Sequence, residues 1–161
     1  ENGRRMTIAF KKIITDRFET AKFYDNAIGL VCILPVEKLR ECALFCRDEP
    51  ALAFDFLNNY TAADFPPESM ELFAQMYSYE HRHKLTLKCS IDRNEPRVPS
   101  LVEVWSAANW YEREMYDLFG IIFTGHPDLR RLFLPEYWIG YPLRKDYSDD
   151  RIVPLPEVLS E

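Results

Sequence analysis

The chain lacks the short patterns that mark most cofactor and nucleotide sites. There is no CxxC, and Cys32, Cys42, Cys46 and Cys89 match no zinc or iron–sulphur spacing. G-x-G-x-x-G and G-x-x-x-x-G-K-[ST] are both missing, so no phosphate-cradling loop is offered. The longest apolar run, residues 28–36, is far short of the roughly 20 residues a bilayer span needs. Basic charge is also scarce. With 20 Lys+Arg against 26 Asp+Glu the net charge is −6, which argues against a general nucleic-acid binder. No basic-then-apolar segment opens the sequence, so an intracellular protein is expected. No repeat or low-complexity tract is visible.

What remains is a chain of 161 residues, 47% hydrophobic and 29% charged, enough for one domain with a real core. The cysteines read as reduced core residues that behave as small hydrophobes. Residues 6–16 suggest a short helix. Residues 27–34 form an apolar run of strand length. After Pro35, Val36, Leu39, Ala43 and Cys46 recur at helical spacing, and Pro50 closes that helix. Residues 52–60 read as a strand and Pro66-Pro67 as a turn. Leu72, Ala74 and Met76, then Leu85, Leu87, Cys89 and Ile91, alternate with other residues at period two, which predicts an antiparallel hairpin turning at residues 81–83. Residues 92–99 read as a loop.

Two helix starts follow. Ser100 and Glu103 make an S-x-x-E capping pattern for residues 101–107, and Asn109 with Glu112 makes the analogous pattern for a helix that Gly120 ends. Prolines at 127, 135, 142, 154 and 156 then forbid long helices and central strands. The expected architecture is α+β: a mixed or antiparallel sheet, helices on one face, and an extended C-terminal tail. The expected division is an α+β domain over residues 1–125 and an irregular docking segment over 126–161.

Residues 109–147 are the densest part. Two of the three Trp and three of the five Gly fall there, among the clusters Glu112-Arg113-Glu114 with Asp117 and Asp128 with Arg130-Arg131. Active sites usually show isolated polar groups among apolar ones. Aromatics mixed with charge suit a surface buried against a partner. Glu112, Glu114 and Asp117 could form an acid–base pair or a metal cluster. Arg113 between them, and the capping role of Glu112, favour ion pairing, with Arg113 held by a buried acid. His126 could be catalytic, but no nucleophile motif accompanies it, so a hydrogen-bonded turn histidine is the better reading. His81 and His83 read as solvent-facing turn residues. Arg130-Arg131 and Arg144-Lys145 could cradle phosphate or an acidic partner, with Asp128 and Asp146 as competing internal partners. A stand-alone hydrolase using His126 and Glu114 would require a nucleophile that no motif supplies.

Glu112-Arg113-Glu114-x-x-Asp117-x-x-Gly120, then His126-Pro127-Asp128-Leu129-Arg130-Arg131, then Gly140-x-Pro142-Leu143-Arg144-Lys145-Asp146 occur in this order. Together they resemble the 30 kDa subunit family of respiratory complex I, also called the C-subunit of NADH–quinone oxidoreductase. The likeness covers about a quarter of the chain. It implies a cofactor-free, non-catalytic subunit of a peripheral arm, packed on a 49 kDa-type subunit near the subunit with the terminal iron–sulphur cluster. NADH, FMN, clusters and quinone would belong to the partner subunits. The site residues above, with Trp138, would be structural or interface positions. The complex would sit on the cytoplasmic, stromal or matrix face of an energy-converting membrane. The membrane would be reached only through that complex. Relatives serve energy-converting hydrogenases and F420- or ferredoxin-dependent quinone reductases, and the motifs do not separate these. Two departures stand out: Phe133 replaces a usual aliphatic residue, and after Tyr147 the chain reads SDDRIVPLPEVLSE rather than an EVRYD-like continuation.

Overall fold

The computed structural model describes residues 2–27 and 29–150, with side chains described from residue 9 onward. The Pro154–Pro156 part of the expected tail lies outside the described residues. The chain runs α1 (Asn2–Arg17), β1 (Lys22–Asn26), β2 (Gly29–Ile33), a 3-10 turn (Val36–Lys38), α2 (Leu39–Asp48), β3 (Phe56–Phe65), β4 (Ser69–Ser78), β5 (His83–Asp92), β6 (Arg97–Pro99), α3 (Ala108–Phe119) and β7 (Ile122–Thr124). The α+β expectation holds, and the sheet is mixed. Its order is β1-β2-β5-β4-β3, antiparallel throughout except for the parallel β2–β5 pair. β6 and β7 form a separate parallel pair.

Period-two patterning decides the centre of the sheet. Met70, Leu72, Ala74 and Met76 of β4 are buried and lie opposite Ile91, Cys89, Leu87 and Leu85 of β5. Cross-strand apolar pairs of this kind are the unit of sheet stabilisation. Intervening β4 residues are only half-buried, so the second face is not covered. The covered face meets Phe10 and Ile14 of α1, Leu39, Cys42, Ala43 and Cys46 of α2, and Ala108, Met115 and Phe119 of α3 in one core. The four cysteines are buried free thiols within it, and Cys42 and Cys46 Sγ lie 4.0 Å apart. Burial pushes Cys89 up to about 12 and Cys32 higher still, so they pack as neutral thiols. Among the described residues no helix is long and apolar enough to cross a membrane.

Several boundaries differ from expectation. The first helix is longer at its start than residues 6–16. β3 begins at Phe56 because Leu52 and Phe54 are buried in a turn rather than a strand. His83 is wedged against Phe10 and Phe54 at 3.9 and 4.6 Å between ring centres, so it is no free surface residue. His81 stacks on His83 and its Nε2 lies 2.8 Å from the Pro50 carbonyl oxygen, although its surroundings stay open to solvent. Residues 101–107 form turns, not the helix that the Ser100–Glu103 spacing predicts. Glu103 pairs instead with Arg40 of α2.

Candidate functional site

α3 carries the first motif, and its polar side chains are turned inward. Glu112 and Asp117 are fully buried, and Arg113 nearly so. The Ser100 hydroxyl donates to Glu112 Oε2 at 2.6 Å, and the Leu101 amide donates to Oε1 at 2.6 Å. Burial raises the Glu112 carboxyl from its ordinary 4.5 to about 7, although these two donors and Arg40 pull it down.

Glu112 is therefore not a capping residue for its own helix. α3 starts at Ala108, preceded by Ala107 with no side-chain cap, and Asn109 lies inside the helix. Because Asn109 caps nothing, Asn109→Ala should not carry the roughly 1 kcal/mol cost of a lost cap. Urea unfolding within about 0.5 kcal/mol of wild type is expected, and a full cap-sized loss would contradict this placement of the helix start.

Arg113 also differs from expectation. No acid holds it. Its Nε and Nη2 donate to the Arg130 and Arg131 carbonyls at 3.3 and 3.2 Å, and its guanidinium lies 5.2 Å from the Trp110 ring centre. The clustered charges of α3 thus reach other segments and do not pair along the helix. Glu114 is only half-buried and joins neither carboxylate. Gly120 ends α3 as expected, at φ +77°. A Cβ there would also stand 2.6 Å from the Tyr141 ring, so the position is closed to other residues on two grounds.

Asp117 organises the tail. Its Oδ2 accepts the amides of Leu132, Phe133 and Leu134 at 3.0, 2.7 and 2.9 Å. Its Oδ1 accepts Arg131 Nη1 at 2.7 Å. Burial alone would raise this carboxyl, but the three amides and Arg131 outweigh it and hold it below the usual carboxylate range. Arg131 Nη2 continues to the Trp138 and Gly140 carbonyls at 3.0 and 3.4 Å, and its guanidinium lies 5.6 Å from the Tyr141 ring centre. One guanidinium thereby joins the end of α3 to two turns of the tail.

A second node lies at the far ends of β3 and β5. Arg93 grips buried Asp64 with Nε and Nη2 at 2.6 and 3.0 Å and also reaches Asp146 at 2.9 Å. The Lys145 amide donates to Asp64 Oδ2 at 2.7 Å, and Arg144 donates to the Arg93 carbonyl at 3.1 Å. Arg144 also pairs with Asp146 at 3.2 Å. Arg93 first, then the Lys145 amide and Arg144, keep Asp64 low against the cost of burial. Neither Asp64 nor Arg93 stands out by sequence spacing. The one available signal was an Asp at an inward position of a strand, following Leu57, Tyr60 and Ala62.

The remaining motif residues are placed as turn chemistry. His126 Nδ1 accepts the Asp128 amide at 3.0 Å, and Nε2 faces the Asn109 carbonyl at 3.4 Å, the hydrogen-bonded turn histidine that was expected. Burial lowers its basicity. Asp128 and Arg130 form an exposed pair at 2.8 Å, and Pro127 is exposed beside them. Pro142 is half-buried between Tyr141 and Leu143, whose amide donates to the Leu118 carbonyl at 3.0 Å. Among the described residues no three His, Cys, Asp or Glu side chains are placed to hold a metal ion. The arrangement neutralises buried charge and fixes backbone, and Asp146, which borders a shallow open cleft with Arg144 and Tyr147, is paired with Arg93 and Arg144. Exposed apolar groups lie outward instead: Phe133, Tyr137, Ile139, Leu143 and Trp110.

The sequence pattern described as "Respiratory-chain NADH dehydrogenase, 30 Kd subunit" matches residues 32–151. The C-subunit of NADH-quinone oxidoreductase from Roseiflexus castenholzii is 44% identical over 112 residues, covering 68% of this chain and 64% of the relative. The protein of that name from Chlorobium phaeobacteroides is 40% identical over 137 residues, covering 83% and 77%. The Chloroherpeton thalassium relative is covered to 48%, so the chain spans about half to two thirds of some relatives it matches. Among solved structures, a trypsin-resistant fragment (1-134) of Nqo5 superposes with a TM-score of 0.63 at 28% identity, covering 74% of this chain and 98% of the fragment. A chain of the archaeal membrane-bound sulfane sulfur reductase shares the fold, with a TM-score of 0.71 at 24% identity over 92% of this chain and 86% of that one. The chain belongs to the respiratory-chain NADH dehydrogenase 30 kDa subunit family.

Proposed function

We propose that this chain is a non-catalytic assembly subunit in the peripheral arm of a proton-pumping NADH–quinone oxidoreductase. It docks on a 49 kDa-type subunit near the subunit with the terminal iron–sulphur cluster. It carries no cofactor, and NADH, FMN, clusters and quinone are handled by its partners. It meets the membrane, on the cytoplasmic, stromal or matrix side, only through the complex. Residues 126–150 are the docking segment, and the α+β body before them is its support.

One observation carries this reading beyond family membership. The motif charges Glu112, Arg113, Asp117 and Arg131 are answered inside the chain, whereas Tyr137 and Ile139 stand 83% and 90% exposed on the segment held by Asp117 and Arg131. Large apolar side chains on a fixed backbone suit interface anchors, because little conformational freedom is left to lose on docking.

Trp138 and Arg144 are poorer probes of docking than sequence suggested. Trp138 is half-buried, and Arg144 is tied to Arg93 and Asp146. The outward pair is the cleaner test. Tyr137→Ala with Ile139→Ala should weaken incorporation by about 2 kcal/mol or more, roughly 30-fold. Purified complex from the variant is scored for subunit stoichiometry and, separately, for NADH–quinone turnover per assembled complex. Reduced incorporation with unchanged turnover supports an assembly role. Full incorporation with abolished turnover places the segment on the catalytic path and removes the proposal.

A further inference from the structure

Residues 126–147 carry few of the contacts that hold the rest of the fold. No residue from Thr124 to Asp150 is fully buried. Within that stretch, Leu129 alone packs against the hydrophobic core. Attachment is polar and concentrated at two places. One is Asp117 with Arg131 and the amides of Leu132, Phe133 and Leu134, flanked by Arg113 of α3 donating to the Arg130 and Arg131 carbonyls. The other is Asp64–Arg93 with the Lys145 amide, Arg144 and Asp146. Between them the Leu143 amide is tied to the Leu118 carbonyl at the end of α3. The carboxylates lie on α3 and β3, inside the body, whereas most of their donors lie on the segment.

We propose that residues 126–147 form a latched strap, which releases from the body as one cooperative unit while the sheet and helices stay folded. Three features support it. Stability within a domain follows buried apolar contact, so a segment with no fully buried side chain opens at lower free energy than the core. Both nodes are charge-assisted and geometrically demanding, so each is either made or lost. Arg131 spans the first node and the Trp138 and Gly140 carbonyls, which joins the two halves of the strap mechanically. In the latched state Phe133, Tyr137, Ile139 and Leu143 are displayed on a fixed backbone, and in the released state that display is lost. Release is a property of the free chain, whichever partner covers the strap.

Hydrogen exchange read by mass spectrometry on the full chain tests it, comparing wild type, Asp117→Asn and Asp64→Asn. In wild type the amides of Leu132, Phe133, Leu134, Leu143 and Lys145 should exchange at a common rate, roughly 100-fold or more faster than β4 and β5. Asp117→Asn should accelerate Leu143 and Lys145 as much as its own three amides. Asp64→Asn should do the reverse, while in both variants β4 and β5 stay protected and remain the slowest amides to exchange. Strap amides that exchange only at the core rate overturn the proposal. So does acceleration confined to the substituted node, which would mean two independent contacts. A variant that loses β4–β5 protection altogether also overturns it, because the strap would then be part of the core.

Discussion

Asp117→Ala is expected to lower the unfolding free energy by roughly 3–5 kcal/mol, the range for removing one member of a buried ion pair. The wild-type carboxylate has no exposed surface and answers four groups: Arg131 and the amides of Leu132, Phe133 and Leu134. Alanine strands all of them at once. Arg131 keeps its bonds to the Trp138 and Gly140 carbonyls but loses the charge that balances it. The three amides would have to find water or leave the site, and unmade hydrogen bonds cost more than made ones contribute. The wild-type contribution is pH-dependent in a fixed sense. This carboxyl is held below its ordinary range, so its stabilisation is present above that range and is lost as pH falls through the folded-state value. Equilibrium urea unfolding of Asp117→Ala at pH 7, followed by far-ultraviolet dichroism and by tryptophan fluorescence, measures the loss. A change under about 1 kcal/mol would show that the tail is not held through this carboxylate.

Glu112→Gln is expected to flatten the pH dependence of stability between about pH 5 and 8. Burial, the largest influence, raises the Glu112 carboxyl from 4.5 to about 7. At pH values below 4.5 the group is protonated in both states. Between 4.5 and 7 the unfolded chain releases its proton and the folded chain keeps it. The folded state then binds more protons, so stability falls as pH rises. Above about 7 both states are ionised and the full penalty remains. A tenfold change in proton affinity is about 1.4 kcal/mol, so that penalty is about 3 kcal/mol. Glutamine carries no charge, and its oxygen can accept the Leu101 amide while its nitrogen donates to Ser100 Oγ. Wild type should therefore lose stability relative to Glu112→Gln on going from about pH 5 to about pH 8. Parallel urea titrations at pH 5, 6.5 and 8 give the difference directly. Parallel stability curves for the two proteins would mean that Glu112 does not titrate differently in the fold.

Glu112 also shows where local pattern misleads. Asn109 and Glu112 have the spacing of a helix cap, and Ser100 and Glu103 have that of another. In the fold the Ser100 side chain and the Leu101 amide meet Glu112, and Glu103 meets Arg40. Glu112 does satisfy an orphan amide, that of Leu101, but across segments, and Glu103 answers a guanidinium instead. A capping pattern records that a donor will be answered without recording which one. Arg113 is similar: its neighbours in sequence are acids, but its partners are two carbonyls on the strap.

Features that depend on near neighbours were legible in the chain before any fold was known. Alternation fixed the β4–β5 hairpin, since period two leaves one face apolar. Gly120 settled the end of α3, and the proline spacing kept residues 126–150 out of helices and long strands. Motif order along 112–146 was enough for the family. Tertiary structure alone decided the remainder. β1 has little apolar content and pairs because β2 lies beside it. Leu52 and Phe54, apolar enough for a strand, instead fill a turn in the core. Asp64 meets Arg93 across 29 positions and the Lys145 amide across 81. Hydrogen-bond and charge partners so far apart leave no periodic trace in the chain. They meet only when apolar burial has already closed the intervening loops, and that closure is a property of the whole fold.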